Sequence, residues 1–226
     1  ALLSSNALAQ EIVDQPCAAE IPLTAKLVAD ALDLRSVDAR ADMLIGALSY
    51  MREPSEDAET ASGAVIFVKR AGAWHALMPQ NFQDEVGLYA GTDGSLALLT
   101  QHQVEGPGQS FTLVRTKDAF AKATCATIDF PAALNQPDWQ NETLTPYDFD
   151  LSAKGRGTLI ASADVTRNGV DKTLWFSYET RDGGRTWRKP VVLTKARKAT
   201  AGLYEPAKLA PAPALVGDLT ASAKGR

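Results

Sequence analysis

The sequence predicts an all-β chain built from repeated units of about four antiparallel strands. Three stretches near residues 42–78, 93–130 and 156–193 share one layout, in which a short apolar strand and a loop lead into a two-stranded hairpin. The hairpin strands alternate apolar with polar residues and contain β-branched and aromatic side chains, which suit a pleated sheet. Turn-forming glycine, proline and asparagine residues separate the strands. Repeats of this length and strand content favour blades of the β-propeller type over the two sheets of a sandwich.

The strands of each repeat follow from comparing the chain with itself. The expected first, second and third strands are, repeat by repeat, 42–51, 63–70 and 73–78; then 93–102, 110–117 and 123–130; then 156–165, 173–180 and 185–193. A further strand is expected before the second triplet at 85–91, and before the third triplet at 147–155. The second and third repeats then have the four strands that a propeller blade needs.

The end of the chain echoes an earlier segment. Residues 150–156 read DLSAKGR and lead into a strand, and residues 218–226 read DLTASAKGR. The echo predicts that a fourth blade begins there, so that about three blades plus the start of a fourth form an incomplete or truncated ring. We favour a fragment of a longer protein over the alternative, in which the last strand closes onto the first blade.

One segment carries two conflicting signals. An apolar stripe of helical spacing runs through 37–51, and Ser36 is an acceptable N-cap for such a helix. The match of residues 42–51 to the first strands of the other repeats predicts a strand instead, and we favour the strand. Residues 24–34 stay open between helix and strand.

Composition excludes several classes of function. With 226 residues and 45% hydrophobic side chains the chain can bury a core, and its net charge of -4 gives no general attraction to nucleic acid or to an anionic membrane. No apolar run approaches the roughly 20 residues that a membrane helix needs, so no membrane insertion is expected. His75 and His102 are too few for a histidine metal cluster, and no glycine motif for phosphate precedes a helix. We therefore assign neither a metal nor a cofactor.

The N-terminal residues and the two cysteines predict export to the periplasm or the extracellular space. Ala7-Leu8-Ala9 has the small-x-small form of a signal-peptidase site, so residues 1–9 are interpreted as the tail of a clipped export signal and 10–226 as one domain. In an oxidising compartment Cys17 and Cys125 can form one disulfide, and two buried free thiols are the alternative.

The most distinctive motif is TRDGGRTW at residues 180–187. Its carboxylate can accept backbone N–H groups in a tight turn, its glycines permit positive φ, and its tryptophan can return into the sheet and bury a large ring. The motif fills every key position of the pattern Ser/Thr-x-Asp-x-Gly-x-Thr-Trp, namely Thr180, Asp182, Gly184, Thr186 and Trp187.

The other two hairpins carry partial copies of this motif. Residues 115–124 keep Thr116 and Asp118 but have Phe120 where a glycine belongs. Residues 68–77 keep a glycine and a tryptophan but have no aspartate. The pattern resembles the Asp box, or BNR repeat, of the sialidase-like β-propellers. That resemblance implies a structural staple placed away from the catalytic face, so Asp182 is not expected to be catalytic.

For an enzyme of this class, the resemblance implies an arginine triad, a tyrosine nucleophile paired with a glutamate, and an aspartate acid/base. Where those enzymes usually have Arg-Ile-Pro, this chain has Glu20-Ile21-Pro22, and three blades are fewer than their six. Arg52 and Asp57, in the loop after the first strand of the first repeat, are candidate remnants of substrate contacts. A solvated acidic loop is the favoured interpretation of that segment.

Two further carboxylates, Asp148 and Asp150, alternate with Tyr147 and Phe149 and so share one strand face. They could form a paired-carboxylate or calcium feature, although the polar face of an edge strand is favoured.

The chain has an intact Asp-box turn but no identifiable set of catalytic residues. This combination predicts an exported, non-catalytic binding or scaffold module that recognises a glycan or a protein through its loop face. One alternative is a sialidase-type glycoside hydrolase present here only in part. The other is a periplasmic inhibitor or immunity-type protein.

Overall fold

A computed structural model describes residues 17–37, 40–51, 60–79, 84–102, 110–134, 140–199 and 201–225. In these ranges the fold is all-β, with three separate antiparallel sheets, none of them closed, and two α-helices. The strands are β1 (Ala18–Ile21), β2 (Ala31–Val37), β3 (Arg40–Met51), β4 (Thr60–Arg70), β5 (Ala73–Pro79), β6 (Asp84–Gly91), β7 (Leu96–His102), β8 (Ser110–Thr116), β9 (Ala123–Ile128), β10 (Gln140–Leu151), β11 (Gly157–Arg167), β12 (Val170–Thr180), β13 (Val191–Leu193), β14 (Tyr204–Pro206) and β15 (Leu209–Pro211). The helices are α1 (Ala25–Asp30) and α2 (Pro213–Lys224). Neither of these helices is long and apolar enough to cross a membrane.

Three consecutive runs of four strands each form an antiparallel meander. The first sheet has the order β1-β5-β4-β3-β2-β15, the second β14-β6-β7-β8-β9 and the third β10-β11-β12-β13. Every strand expected from the repeats overlaps a strand of the structure, including the preceding strands β6 and β10. The expected strand at 185–193 is shorter than predicted and keeps only Val191–Leu193, because the residues before Val191 belong to the turn and its exit.

Segment 24–51 contains both kinds of element. Residues 25–30 form α1, with the Thr24 hydroxyl accepting the Leu27 N–H at 3.1 Å as an N-cap. Residues 31–37 and 40–51 are strands, so the helical interpretation of 37–51 is wrong. The physical reason is that β3 is buried on both faces: Met43 packs against the second sheet and Leu44 against the helices. A strand that is buried on both faces need not alternate apolar with polar residues. Its apolar residues can then fall at the spacing expected of an amphipathic helix.

The expectation of a fourth blade at the end of the chain is also wrong, because residues 213–224 form helix α2. Pro213 occupies the first turn, where its missing N–H costs nothing. Leu219 and Ala223, four residues apart, are buried against the first sheet. Asp218 accepts hydrogen bonds from Trp74 Nε1 at 2.8 Å and Lys69 Nζ at 2.7 Å, which ties α2 to β4 and β5. The sequence echo between 150–156 and 218–226 therefore marks no shared structure.

The three sheets stack face to face, with the second sheet in the middle. The core between the first and second sheets includes Met43, Ile66, Leu98, Val114 and Phe120. The core between the second and third sheets is aromatic, with Tyr89, Phe111, Phe149, Phe176 and Tyr178. Helices α1 and α2 cover the remaining face of the first sheet over Leu44, Phe67 and Trp74.

Residues 201–211, the C-terminal strap, run back along the first strand of all three meanders. β14 pairs with β6, and β15 pairs with β2. Beside β10, the contact is made by side chains: Asp150 accepts the N–H groups of Leu203 at 2.9 Å and Tyr204 at 2.8 Å, and also that of Gly202. The strap thus pairs with backbone groups that β2 and β6 would otherwise expose.

The predicted disulfide between Cys17 and Cys125 is confirmed, with the two Cα atoms 5.6 Å apart. It links the residue before β1 to β9, and so joins outer strands of the first and second sheets. The two residues are 108 positions apart in the chain, and closing a loop of this size stabilises a fold by up to about 4–5 kcal/mol in the chain-entropy model.

Candidate functional site

The turn at residues 180–187, called here the intact turn, connects β12 to β13 and is organised by one carboxylate. Asp182 Oδ1 accepts the backbone N–H groups of Arg185 and Thr186, each at 3.0 Å, and Oδ2 accepts the Thr186 hydroxyl at 2.6 Å. The Thr180 hydroxyl donates to Asp182 at 2.9 Å and accepts the Gly184 N–H at 3.1 Å. The Thr186 hydroxyl and N–H, more than any other contact, hold the pKa of Asp182 far below its usual range.

Two glycines and a tryptophan complete the intact turn: the glycines adopt the positive φ that the sequence predicts, whereas Trp187 lies before β13 and is only partly buried. Gly183 and Gly184 both have φ of 80°, in the left-handed region that glycine tolerates. Trp187 packs against the core between the second and third sheets, with its ring centroid 6.2 Å from that of Phe149. Its indole N–H donates to the Gly184 carbonyl at 3.3 Å, so the ring also braces the turn that it follows.

Residues 116–122, called here the variant turn, occupy the same place between β8 and β9 and repeat the hydrogen bonds. The Thr116 hydroxyl donates to Asp118 at 3.0 Å and accepts the Phe120 N–H at 3.0 Å. Asp118 Oδ1 accepts the Lys122 N–H at 2.8 Å, and this bond is the main reason that the pKa of Asp118 is lowered. Ala119 and Phe120 take φ of 53° and 64° where the intact turn has glycines. The variant turn therefore keeps the geometry of the intact turn, although its sequence departs from the motif.

The third hairpin, between β4 and β5, has only a two-residue connection at Ala71-Gly72. Its tryptophan, Trp74, is almost fully buried and donates its indole N–H to Asp218 of α2. The carboxylate beside this tryptophan thus comes from a distant part of the chain, which no local motif could reveal.

A cleft of about 400 Å³ lies between the intact turn and the variant turn. It is lined by Ser95, Arg115, Thr116, Lys117, Asp118, Lys122, Ala123, Thr124, Arg185 and Tyr204. Four of these side chains are cationic and one is a carboxylate, although the chain as a whole is acidic. We call this feature the cationic cleft. The sequence did not predict it, because its residues come from the two turns, from the strands beside the variant turn, from the residue before β7 and from the strap.

The Arg115 guanidinium lies at the junction of the elements that form the cationic cleft. It donates to the Gly183 carbonyl of the intact turn, and its Nε donates to the Tyr204 hydroxyl of the strap at 3.3 Å. Its charge also lies 5.9 Å from the centroid of the Tyr204 ring. Arg115 is half-buried, so these contacts hold the charge at a fixed position.

The three lysine and arginine side chains at the rim are exposed. Lys117 forms an ion pair of 3.2 Å with Asp93, whose pKa is lowered to about 2, first by the Ser95 hydroxyl and only then by the lysine. Within the part of the chain that the structure describes, no carboxylate lies within 4.0 Å of the charged groups of Lys122 or Arg185. The cleft therefore has positive charge that its own carboxylates do not pair.

Asp148 and Asp150 anchor the chain after β13. Asp148 accepts the Ala199 N–H at 2.9 Å, and the Asp150 carboxylate, which is 5% exposed, receives the N–H groups of the strap described above. Their oxygens are thus occupied by backbone donors, and the calcium interpretation finds no support. Among the described residues, no group of three His, Cys, Asp or Glu side chains could hold a metal ion.

Four further residues bear on the glycoside-hydrolase alternative. Arg52 and Asp57 lie outside the described residues. Glu20, at the position expected for the first arginine, lies 2.8 Å from His75 Nδ1. Tyr178 is 1% exposed, and its hydroxyl has no hydrogen-bond partner among the described residues. Burial raises the pKa of this phenol well above its usual range, which is the opposite of an activated nucleophile.

No protein-family model matches the chain, and no curated protein or solved structure shows significant similarity to it. The function must therefore be inferred from the geometry of the chain itself.

Proposed function

We propose that the chain is an exported, non-catalytic binding or scaffold module of the Asp-box, sialidase-like β-propeller class. The observation that carries the proposal is the repetition of one turn. The intact and variant turns occupy the same connection, between the third and fourth strands of successive meanders, and share the same threonine and aspartate hydrogen bonds. Together with three stacked four-stranded meanders, this is what a row of propeller blades requires.

The disulfide supports the export part of the proposal. Disulfides persist in the periplasm and outside the cell but are rare in reducing compartments. Cys17–Cys125 links two sheets, and the described chain has no free cysteine. Treating the protein with reductant should therefore lower its melting temperature substantially, and a protein purified from a reducing compartment should regain that stability on oxidation.

The chemistry of the described cleft supports binding over catalysis. A general acid needs a raised pKa so that it holds a proton at neutral pH. Asp118, the carboxylate that lines the cleft, has a lowered pKa because the Lys122 N–H stabilises its charged form. The Tyr204 hydroxyl accepts the Arg115 Nε–H and lies 2.8 Å from the Ser95 hydroxyl, and no carboxylate base is bonded to it among the described residues. The cationic groups of the cleft can bind an anionic ligand, and its carboxylate is not suited to act as a general acid, which supports binding over glycoside hydrolysis.

The decisive experiment compares binding with turnover. The protein is screened on an immobilised glycan panel and incubated in parallel with fluorogenic sialosides and other fluorogenic glycosides. We expect glycan or protein binding with no release of fluorophore. Turnover that Arg52→Ala abolishes, while the matched surface variant Arg35→Ala leaves it unchanged, would overturn the proposal in favour of a glycoside hydrolase. Co-purification with one tightly bound protein would instead favour the inhibitor class.

A further inference from the structure

We infer that the cationic cleft is a binding site for acidic saccharides, meaning sugars that carry sulfate or uronate groups. This inference rests on the proposed function, because it names the ligand class of a glycan-binding module. The proposed saccharide site lies at the end of the meanders where the intact and variant turns are found. The resemblance to sialidases points to the other end, so the site is not one that the resemblance implies.

Charge is the first argument. Arg115, Lys117, Lys122 and Arg185 line the cleft together with one carboxylate, Asp118. Lys117 is paired with Asp93, so the excess of positive charge comes from Arg115, Lys122 and Arg185. The chain as a whole carries a net charge of -4, so the excess charge of the cleft has the opposite sign to that of the chain. A concave surface lined by one sign of charge raises the local concentration of an oppositely charged ligand.

The second argument is that the turns hold the cationic residues through their backbones and leave the side chains available. The Lys122 N–H donates to Asp118, and its carbonyl accepts the Thr116 hydroxyl at 2.8 Å. The Arg185 N–H donates to Asp182 in the same way. Both Cα positions are therefore set by rigid turns, which lowers the entropic cost of ordering the side chains on a ligand.

Arg115 supplies the fixed part of the site. A guanidinium has five N–H donors in a planar fork that matches the geometry of carboxylate and sulfate oxygens. Two of its nitrogens already bond to Gly183 and Tyr204, and these contacts keep the group in place when the cleft is empty. A site with one preformed cation and adaptable cations at its rim suits an oxyanion that is carried on a larger molecule.

The size of the cleft and the hydroxyl and carboxylate groups in its lining favour a saccharide over other anions. A volume of about 400 Å³ lies at the lower end of the range for small-molecule sites and fits one or two sugar rings. The Thr124 hydroxyl and the ionised Asp118 carboxylate can bond to sugar hydroxyl groups, whereas Asp118 would repel a dense polyanion. Four cations in one short cleft also fall short of the extended basic track that nucleic acids need.

The test measures affinity by calorimetry with three probes: a sulfated heparin-type disaccharide, an unsulfated uronate-containing disaccharide and neutral lactose. We expect both acidic probes to bind and lactose not to bind, and their ranking tells whether sulfate or carboxylate is preferred. The double variant Lys122→Glu/Arg185→Glu should weaken binding about tenfold or more. Raising the salt from about 50 to about 300 mM should also weaken it, since the site is open to solvent.

Lys172→Glu is the control, because it makes one lysine-to-glutamate change, half the charge change of the double variant, at the far end of β12 and should leave affinity within about twofold of wild type. If a glutamate variant melts early, Lys122→Gln/Arg185→Gln replaces it, since neither exposed side chain takes part in the turn hydrogen bonds. Acidic glycans that bind equally well to the double variant would overturn the inference but would not contradict the proposed function as a binding module. Preference for lactose, or loss of binding in Lys172→Glu as well, would overturn it too. Turnover of glycosides would instead contradict the proposed function.

Discussion

The intact turn and the variant turn reach nearly the same backbone by different means. Both bond a threonine hydroxyl to an aspartate and to the N–H four residues further on. The intact turn takes φ of 80° twice at glycine, and the variant turn takes 53° and 64° at Ala119 and Phe120. The difference teaches that threonine and aspartate set this geometry, and that glycine only makes it less costly.

The variant turn offsets its strain with burial. A left-handed conformation costs a residue with a Cβ roughly 1–2 kcal/mol. Phe120 is 4% exposed and packs in the core between the first and second sheets, which stabilises the fold by about 2–3 kcal/mol. In the intact turn that anchoring role belongs to Trp187, which follows the turn and contacts the other core. Each turn therefore has one aromatic anchor, placed on a different side of the second sheet.

The strongest test of this comparison is Phe120→Gly, which restores the motif residue. We expect the change to lower the free energy of unfolding by about 2–3 kcal/mol, because the lost burial and the cavity left behind together outweigh the relief of strain. Ala119→Gly is the matched control and should change stability by no more than about 0.5 kcal/mol, since it relieves strain and removes only a methyl group. Urea unfolding followed by tryptophan fluorescence measures both. A Phe120→Gly protein as stable as wild type would show that the ring does not anchor the turn.

The second test compares the two carboxylates. Asp182 accepts two backbone N–H groups and two hydroxyls, whereas Asp118 accepts one N–H of a later residue and one hydroxyl. We expect Asp182→Ala to cost about 2 kcal/mol of stability and Asp118→Ala about 1 kcal/mol. Thermal unfolding of the two variants beside wild type gives the difference. Equal losses would mean that the additional bonds of the intact turn add nothing.

The third test concerns the glycine at the tightest point of the intact turn. A Cβ on Gly184 would lie 3.2 Å from Leu113 Cδ2, in addition to the strain of its positive φ. We expect Gly184→Ala to destabilise by about 1–2 kcal/mol. Gly169→Ala is the control, because φ there is 73° and no atom lies within 4 Å of the added Cβ. The losses of stability in the two variants should differ only by the clash with Leu113. A larger loss in Gly169→Ala would show that this clash does not destabilise the intact turn.

The smallest expected effect is a pH dependence. The folded-state pKa of Asp182 is lowered, so its ionised form contributes stability above the unfolded value of about 3.9. That contribution is lost as the pH falls through the folded-state pKa. We therefore expect the stability gap between wild type and Asp182→Asn to be widest at neutral pH and to narrow steadily below about pH 4. A gap that stays constant down to about pH 2 would show that the charge of Asp182 is unimportant.

The candidate site shows why only part of it was predictable. The intact turn was found from the sequence because all of its contacts lie within eight residues of chain, where spacing specifies geometry. The cationic cleft was not found, because Arg115 and Arg185 are distant in sequence and meet only after the second and third sheets stack. Asp150 was misread for the same reason: its partners lie more than fifty residues further along the chain.

By itself the sequence determined most of the strands and the intact turn, and it allowed a single disulfide pairing. Local alternation, turn residues and a repeated motif act over a few residues, and two cysteines allow one pairing. Only the tertiary structure decided the fate of the C-terminal segment and of β3. Residues 213–224 become a helix because Leu219 and Ala223 find an apolar face on the first sheet. β3 stays a strand because sheet and helices cover both of its faces, and such coverage exists only once the chain has folded.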